Sequence, residues 1–234
     1  MKPHVQLAEV TTASGTHFSL HQHDGKFYLN YNGNELMSSD HTYSEELLAK
    51  IGCAALLKGK NSRPAHPRIL IGGLGMGFTL KRALELVPPP ATVEVAELIP
   101  ELVEWNRTFL VEHNGPLLDD QRTKIYHGDL FDCLSRANKN TYDALLLDID
   151  NTPDDLITPA NERLYTPDFL ATIRKSLKPS GCVAYWLSEP APQFKKKLRK
   201  AHFDVEEFAA KPHENSKRAR HCIYVARPRR EPPK

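Results

Sequence analysis

Hydrophobic positions divide the chain into two patterns. Up to about residue 36, the runs 5–11, 17–22 and 26–32 are rich in β-forming residues with partial apolar–polar alternation. They are broken at Ser14-Gly15, Asp24-Gly25 and Asn32-Gly33, dipeptides that favour tight hairpin turns because the turn positions take positive φ. This pattern predicts a small antiparallel β unit over 1–40. Residues 43–57 then carry apolar positions at helical spacing and predict a helix.

A polar, proline-containing link, 58–67, leads into the second pattern. Short apolar runs at 68–75, 91–98, 123–129, 142–150 and 181–188 alternate with amphipathic stretches at 78–87, 100–110, 131–138 and 167–179. Strands alternating with helices predict a mostly parallel sheet with helices on both faces, an α/β Rossmann-like doubly wound domain over 41–226. The runs 203–210 and 221–228 predict a closing antiparallel hairpin, and 227–234 a disordered basic tail.

Composition narrows the function classes. Of 234 residues, 31 are Lys or Arg and 29 are Asp or Glu, a net charge of +2 that gives no global case for nucleic acid or membrane. Cys53, Cys133, Cys182 and Cys222 are far apart and form no CxxC pair, so neither a disulfide framework nor a zinc site is expected. The first residues lack an apolar signal core and no segment has the length of a membrane span, which makes the cytoplasm the default location.

The sharpest local signal is the strand Ile69-Leu70-Ile71 running into Gly72-Gly73-Leu74-Gly75-Met76-Gly77 and then a helix. Such a turn lets backbone approach a ligand closely, although it also serves simply to pack strand on helix. Glu97 ends the next strand, 20 residues after Gly77, where doubly wound nucleotide folds place a carboxylate on ribose hydroxyls. The competing reading is a solvated acid at a helix start. Asp129 follows a third strand and precedes a helix beginning near Leu130; it is either an adenine ligand or an N-cap. Converging strand ends favour one nucleoside crevice, with Gly72, Gly73, Gly75, Gly77, Glu97, Asp129 and Leu130 as its candidate residues. There is no Walker lysine pattern for a triphosphate.

The fourth strand ends in Asp148-Ile149-Asp150-Asn151-Thr152-Pro153-Asp154-Asp155. Transfer of an alkyl group from a sulfonium to an amine needs negative potential to attract the protonated acceptor and a base to take its proton. Asp148 is the candidate base and Asp150 the candidate amine anchor; an acidic loop without chemistry is the alternative. No histidine accompanies these acids at ligand spacing, so no metal is expected. Tyr185 and Trp186, at the end of the fifth strand, are candidates to stack on the acceptor, against the commoner fate of core packing.

The set GGLGMG, ELIPELVEWNR, HGD, YDALLLDID and LYTPDFLATIRKSLKPSGCVA resembles the spermidine synthase family over roughly residues 27 to 226. The resemblance implies S-adenosyl-L-methionine (AdoMet) or its decarboxylated form as co-substrate, with Glu97 on the ribose, Asp129 at the adenine and Asp148 as base. It also suggests a homodimer and a small amine acceptor. Tyr43-Ser44-Glu45 matches the family's Tyr-His-Glu motif with serine for histidine, making Tyr43 an acceptor-site candidate. Three departures stand out. Gly75 replaces the loop aspartate that holds the amino group of decarboxylated AdoMet, Ile99 replaces a usual aspartate, and the second acid after Asp148 is displaced. Loss of a loop carboxylate suits the carboxylate of intact AdoMet, so the sequence leans towards methyl transfer over aminopropyl transfer. An RNA-modifying enzyme, suggested by the basic residues 195–200, 217–220 and 227–230, and a non-catalytic nucleoside binder are the remaining alternatives.

Overall fold

The computed structural model of the chain describes residues 4–57, 64–149, 152–211, 216 and 218–229. Asp150 and Lys217, and residues 230–234 of the expected tail, lie outside the described residues.

The N-terminal unit is a four-stranded antiparallel meander: β1 (Val5–Thr11), β2 (His17–His23), β3 (Lys26–Tyr31) and β4 (Asn34–Ser38). The turns fall at the expected dipeptides, with Asp24 and Asn32 themselves at positive φ ahead of their glycines. The fourth strand had no separate signal, because its five residues hardly alternate; pairing of Leu29 with Met37 and of Tyr28 with Ser38 creates it.

The second sheet has seven strands: β5 (Arg68–Gly72), β6 (Thr92–Glu97), β7 (Thr123–His127), β8 (Tyr142–Leu147), β9 (Leu177–Leu187), β10 (Phe203–Ala210) and β11 (His221–Pro228). Its order is β10-β11-β9-β8-β5-β6-β7. The pairs from β9 through β7 are parallel, and β11 joins β9 and β10 antiparallel. The chain winds outward from β5 through β6 to β7, then returns to β8 on the other side of β5. Carboxyl ends of strands diverge at such a reversal and leave a crevice.

Period-2 alternation sends side chains of each strand to two different layers. On β8, Ala144 and Leu146 join Leu48 of α1 (Tyr43–Gly52) and Leu80 of α2 (Phe78–Leu86). Leu145 and Leu147 face the opposite layer. That layer holds Leu134 of α5 (Leu130–Arg136), Ile173 of α6 (Pro167–Ser176) and Phe194 of α7 (Pro192–Lys200). Two further helices, α3 (Pro100–Thr108) and the short α4 (Val111–Asn114), follow β6. Phe18, Leu20, Phe27 and Leu29 of the meander pack on Met76, Phe78, Leu102 and Trp105, so the small sheet roofs the glycine-rich turn.

Two boundaries differ from expectation. The helix expected over 43–57 stops at Gly52, with a 3-10 turn at Ala54–Leu57 following. Gly52 lies against β8, where any added Cβ would sit 2.2 Å from Leu146, and its carbonyl accepts from the Cys182 thiol. Residues 227–229, expected in a disordered tail, are held against the sheet instead. Arg227 and Pro228 pair with Asp204 and Phe203, and Arg229 is hydrogen-bonded to Asp204 and to the Phe203 carbonyl. Cross-strand partners keep these residues in the sheet. The cysteines are free thiols, and no helix of the described residues is long and apolar enough to cross a membrane.

Candidate functional site

At the carboxyl ends of β5, β6, β8 and β9, beneath the meander, lies a cavity of about 670 Å³. Its walls include Gly73, Gly75, Glu97, Asp148, Glu45 and Trp186 from the large domain. Val10, Phe18, Leu29, Leu36 and Met37 come from the small sheet. Thr158 and Asn161 close the side formed by the segment after β8, and the Tyr31 hydroxyl donates to the Ile157 carbonyl, tying that segment to the roof.

The glycines divide into two roles. Gly73 and Gly75 line the cavity. A Cβ on Gly73 would lie 2.6 Å from the Asp148 carbonyl oxygen, so only glycine lets the β5 turn approach the end of β8. Gly72 and Gly77 are not on the cavity wall. Gly72 makes room for Ile149, Leu130 and Leu147, and Gly77 caps α2 against Asn106. Leu130 likewise belongs to the core packed against α5 and α6. These three serve the packing that shapes the turn.

Glu97 is buried, and its carboxylate accepts from the backbone N–H of Leu74 at 2.7 Å and of Ile99 at 2.8 Å. Burial pushes its carboxyl above the ordinary range while these N–H donors oppose the shift. It thus both ties the glycine-rich turn to β6 and faces the cavity.

Asp129 stands apart from the cavity wall. It caps α5 by accepting from Phe131 N at 2.8 Å, and its other oxygen accepts from Arg163 at 2.6 Å. The N-cap reading thus holds in this conformation, and an adenine contact at this carboxylate would compete with Arg163.

The acidic end is built by two elements. Asp148 follows β8 and accepts from the Thr79 hydroxyl of α2 at 2.9 Å. Glu45, on α1, is buried and accepts from Ser44 at 2.5 Å. Burial raises both carboxyls; for Glu45 the Asp148 charge adds to the shift, and for Asp148 the Thr79 hydrogen bond opposes it. Tyr43 opens α1 but does not line the cavity; the motif's contribution is Glu45, which sequence reasoning did not place there. Helical spacing supplied the missing signal, since Glu45 shares α1 with Leu48 and Ala49, which pack on the sheet.

The aromatic candidates are likewise separated by strand alternation. Tyr185 faces the core, edge-on to Phe194 at 4.9 Å, with its hydroxyl buried and unpartnered. Its neighbour Trp186 faces the other way and lines the cavity, its indole Nε1 buried without a partner. Of the two aromatics, the one on the cavity is therefore Trp186, not Tyr185.

Gly75 and Met37 form the most distinctive contact of the wall. Gly75 has φ +51°, and a Cβ there would lie 2.7 Å from Met37 Sδ. The roof's thioether occupies the space a loop aspartate side chain would need. Among the described residues, no cluster of three or more His, Cys, Asp or Glu is arranged to hold a metal ion. Part of the C-terminal basic strip is already paired, Lys195 with Glu207, Arg227 with Glu206 and Arg229 with Asp204.

Fold and cavity together define a Rossmann-like α/β protein with a roofed acidic crevice at its topological switch point. No family model matches the chain, but curated proteins and solved structures do. It is 32% identical over 124 residues to the polyamine aminopropyltransferase of Pyrobaculum calidifontis, covering 50% of this chain and 40% of that protein. With the polyamine aminopropyltransferase of Oceanobacillus iheyensis it shares 29% over 158 residues, 60% and 29% of the two chains. The chain therefore spans less than half the length of these curated relatives. In structure it matches a spermidine synthase in complex with the transition-state analogue AdoDATO, at TM-score 0.71 and 17% identity, over 94% of this chain and 71% of the other. Human methyltransferase-like protein 13 in complex with SAH matches at TM-score 0.58 and 18% identity, over 82% and 83%. The chain is thus similar in sequence to polyamine aminopropyltransferases and in fold to spermidine synthase.

Proposed function

We propose that the chain binds an adenosyl sulfonium in the roofed cavity and catalyses transfer of an alkyl group from it to a small amine. The observation that carries this reading is the placement of Asp148 and Glu97 on one cavity with the glycine-rich turn between them. Glu97 would hold the ribose, and Gly73 and Gly75 would let the donor pass close to backbone. The donor supplies an electrophilic carbon on sulfur. Asp148 takes a proton from the acceptor ammonium, which frees the nitrogen lone pair to form the N–C bond as the C–S bond breaks and its electrons remain on sulfur. The Thr79 hydroxyl orients the carboxylate for that step.

The relatives shift the transferred group. The curated relatives named above are polyamine aminopropyltransferases, which supports aminopropyl transfer from decarboxylated AdoMet to a polyamine precursor over the methyl transfer towards which the sequence leans. Methyl transfer from intact AdoMet stays as the second reading on one observation, the Met37–Gly75 contact that fills the place of an amine-holding aspartate. Calorimetric titration with AdoMet and with its decarboxylated form separates the two. Tighter binding of the decarboxylated compound supports aminopropyl transfer, and the reverse order supports methyl transfer. Failure of both to bind overturns the sulfonium reading. A homodimer, as the resemblance suggests, is tested by light scattering of the full chain.

A further inference from the structure

The cavity also contains a buried carboxylate, Glu45, that the transfer step above does not use. Glu45 and Asp148 line the same cavity from α1 and from the end of β8. The other acids on its wall are Glu97 and Glu101, and no lysine, arginine or histidine among the described residues lines it. Glu46, next along α1, adds to the negative potential at Glu45. The neutral groups nearby are the Ser44 and Thr79 hydroxyls, each hydrogen-bonded to one of the two acids, and the unpartnered Trp186 indole.

Two carboxylates in one desolvated space do not both ionise without a cation to offset them. We propose that Glu45 and Asp148 hold a single proton between them while the cavity is free of cations, and that entry of a sulfonium or an ammonium expels this proton to solvent. The hydroxyl of Thr79 stabilises charge on Asp148, so the proton resides on Glu45. Burial of Glu45, together with the Asp148 charge, favours its neutral form. When a cation arrives, the Glu45 O–H bond breaks, the pair passes from one negative charge to two, and Asp148 becomes the stronger base. Glu45 is then a positioning residue for the charge state of Asp148. The inference rests on the alkyl-transfer reading only for the identity of the cation.

The test counts protons. Calorimetry of the full chain at neutral pH, in buffers of different ionisation enthalpy, compares AdoMet with S-adenosylhomocysteine, which lacks the sulfonium charge. AdoMet is expected to release about one proton more than the thioether, and Glu45→Gln is expected to abolish that difference while still binding both. Equal counts in the unaltered protein, or a difference that persists in Glu45→Gln, overturns the proposal. Should Glu45→Gln fail to fold, Asp148→Asn removes the charged neighbour while Glu45 stays buried and is expected to reduce the same difference; an undiminished difference overturns the proposal. Infrared spectroscopy tests the pair without any ligand: a protonated carboxyl band at neutral pH that disappears in Glu45→Gln supports it, and absence of such a band overturns it. A protein that shows the band yet binds neither compound retains the pair and refutes the sulfonium reading.

Discussion

Arg163 donates to Asp129 Oδ2 at 2.6 Å while its guanidinium lies 3.8 Å from the centre of the Phe131 ring. Both oxygens of Asp129 are thereby engaged, one by Arg163 and one by the Phe131 N–H. An adenine that is to use Asp129 competes with Arg163. Arg163→Ala is expected to tighten binding of an adenosine ligand by up to about fivefold, the worth of a half-exposed ion pair. Equal affinity in calorimetry would show that adenine does not use this carboxylate.

The Met37–Gly75 contact predicts the outcome of restoring the loop acid. Gly75→Asp puts a Cβ 2.7 Å from Met37 Sδ at φ +51°, and is expected to cost about 1–3 kcal/mol in urea unfolding. Combining it with Met37→Ala is expected to recover part of the loss and to increase preference for the decarboxylated donor. Additive losses in the double variant would show that the two residues do not compete for space.

Glu45 gives a pH dependence whose sign follows from its raised carboxyl. The folded protein keeps this group protonated at a pH where the unfolded chain has released the proton, so the folded state binds more protons and stability falls as pH rises through the interval between the two values. Glu45→Gln removes that penalty. Its melting temperature relative to the unaltered protein is expected to increase between pH 5 and pH 9 by on the order of 2–4 °C. A constant difference across that range would mean that Glu45 is ionised throughout.

Asp148→Asn keeps the shape and the Thr79 contact but cannot take a proton. Turnover of any substrate found for the chain is expected to fall by about 100-fold or more, with nucleoside binding retained. Unchanged turnover would remove Asp148 from the role of base.

Away from the cavity, Asp143 on β8 is buried and accepts from Lys178 Nζ at 2.6 Å and from Arg68 N at 2.8 Å. Asp143→Ala leaves a partly buried ammonium and an N–H without their acceptor. The expected loss is about 2–4 kcal/mol in urea unfolding, reduced from the fully buried case because Lys178 is partly solvated.

The alternation of short apolar runs and amphipathic stretches determined the class of fold, because period 2 and period 3.6 are local properties of the chain. The same local chemistry determined the hairpin turns at Asp24-Gly25 and Asn32-Gly33, and the strand ends carrying Glu97, Asp129 and Asp148. Only tertiary packing decided which of these carry out which task. Strand alternation within the folded sheet sent Trp186 to the cavity and Tyr185 to the core. Packing of distant segments gave Asp129 to Arg163, laid Met37 over Gly75 and put Glu45 of α1 on the same cavity wall as Asp148 at the end of β8. Such pairings depend on desolvation and on close approach between residues far apart in the chain, and neither quantity is encoded in spacing along it.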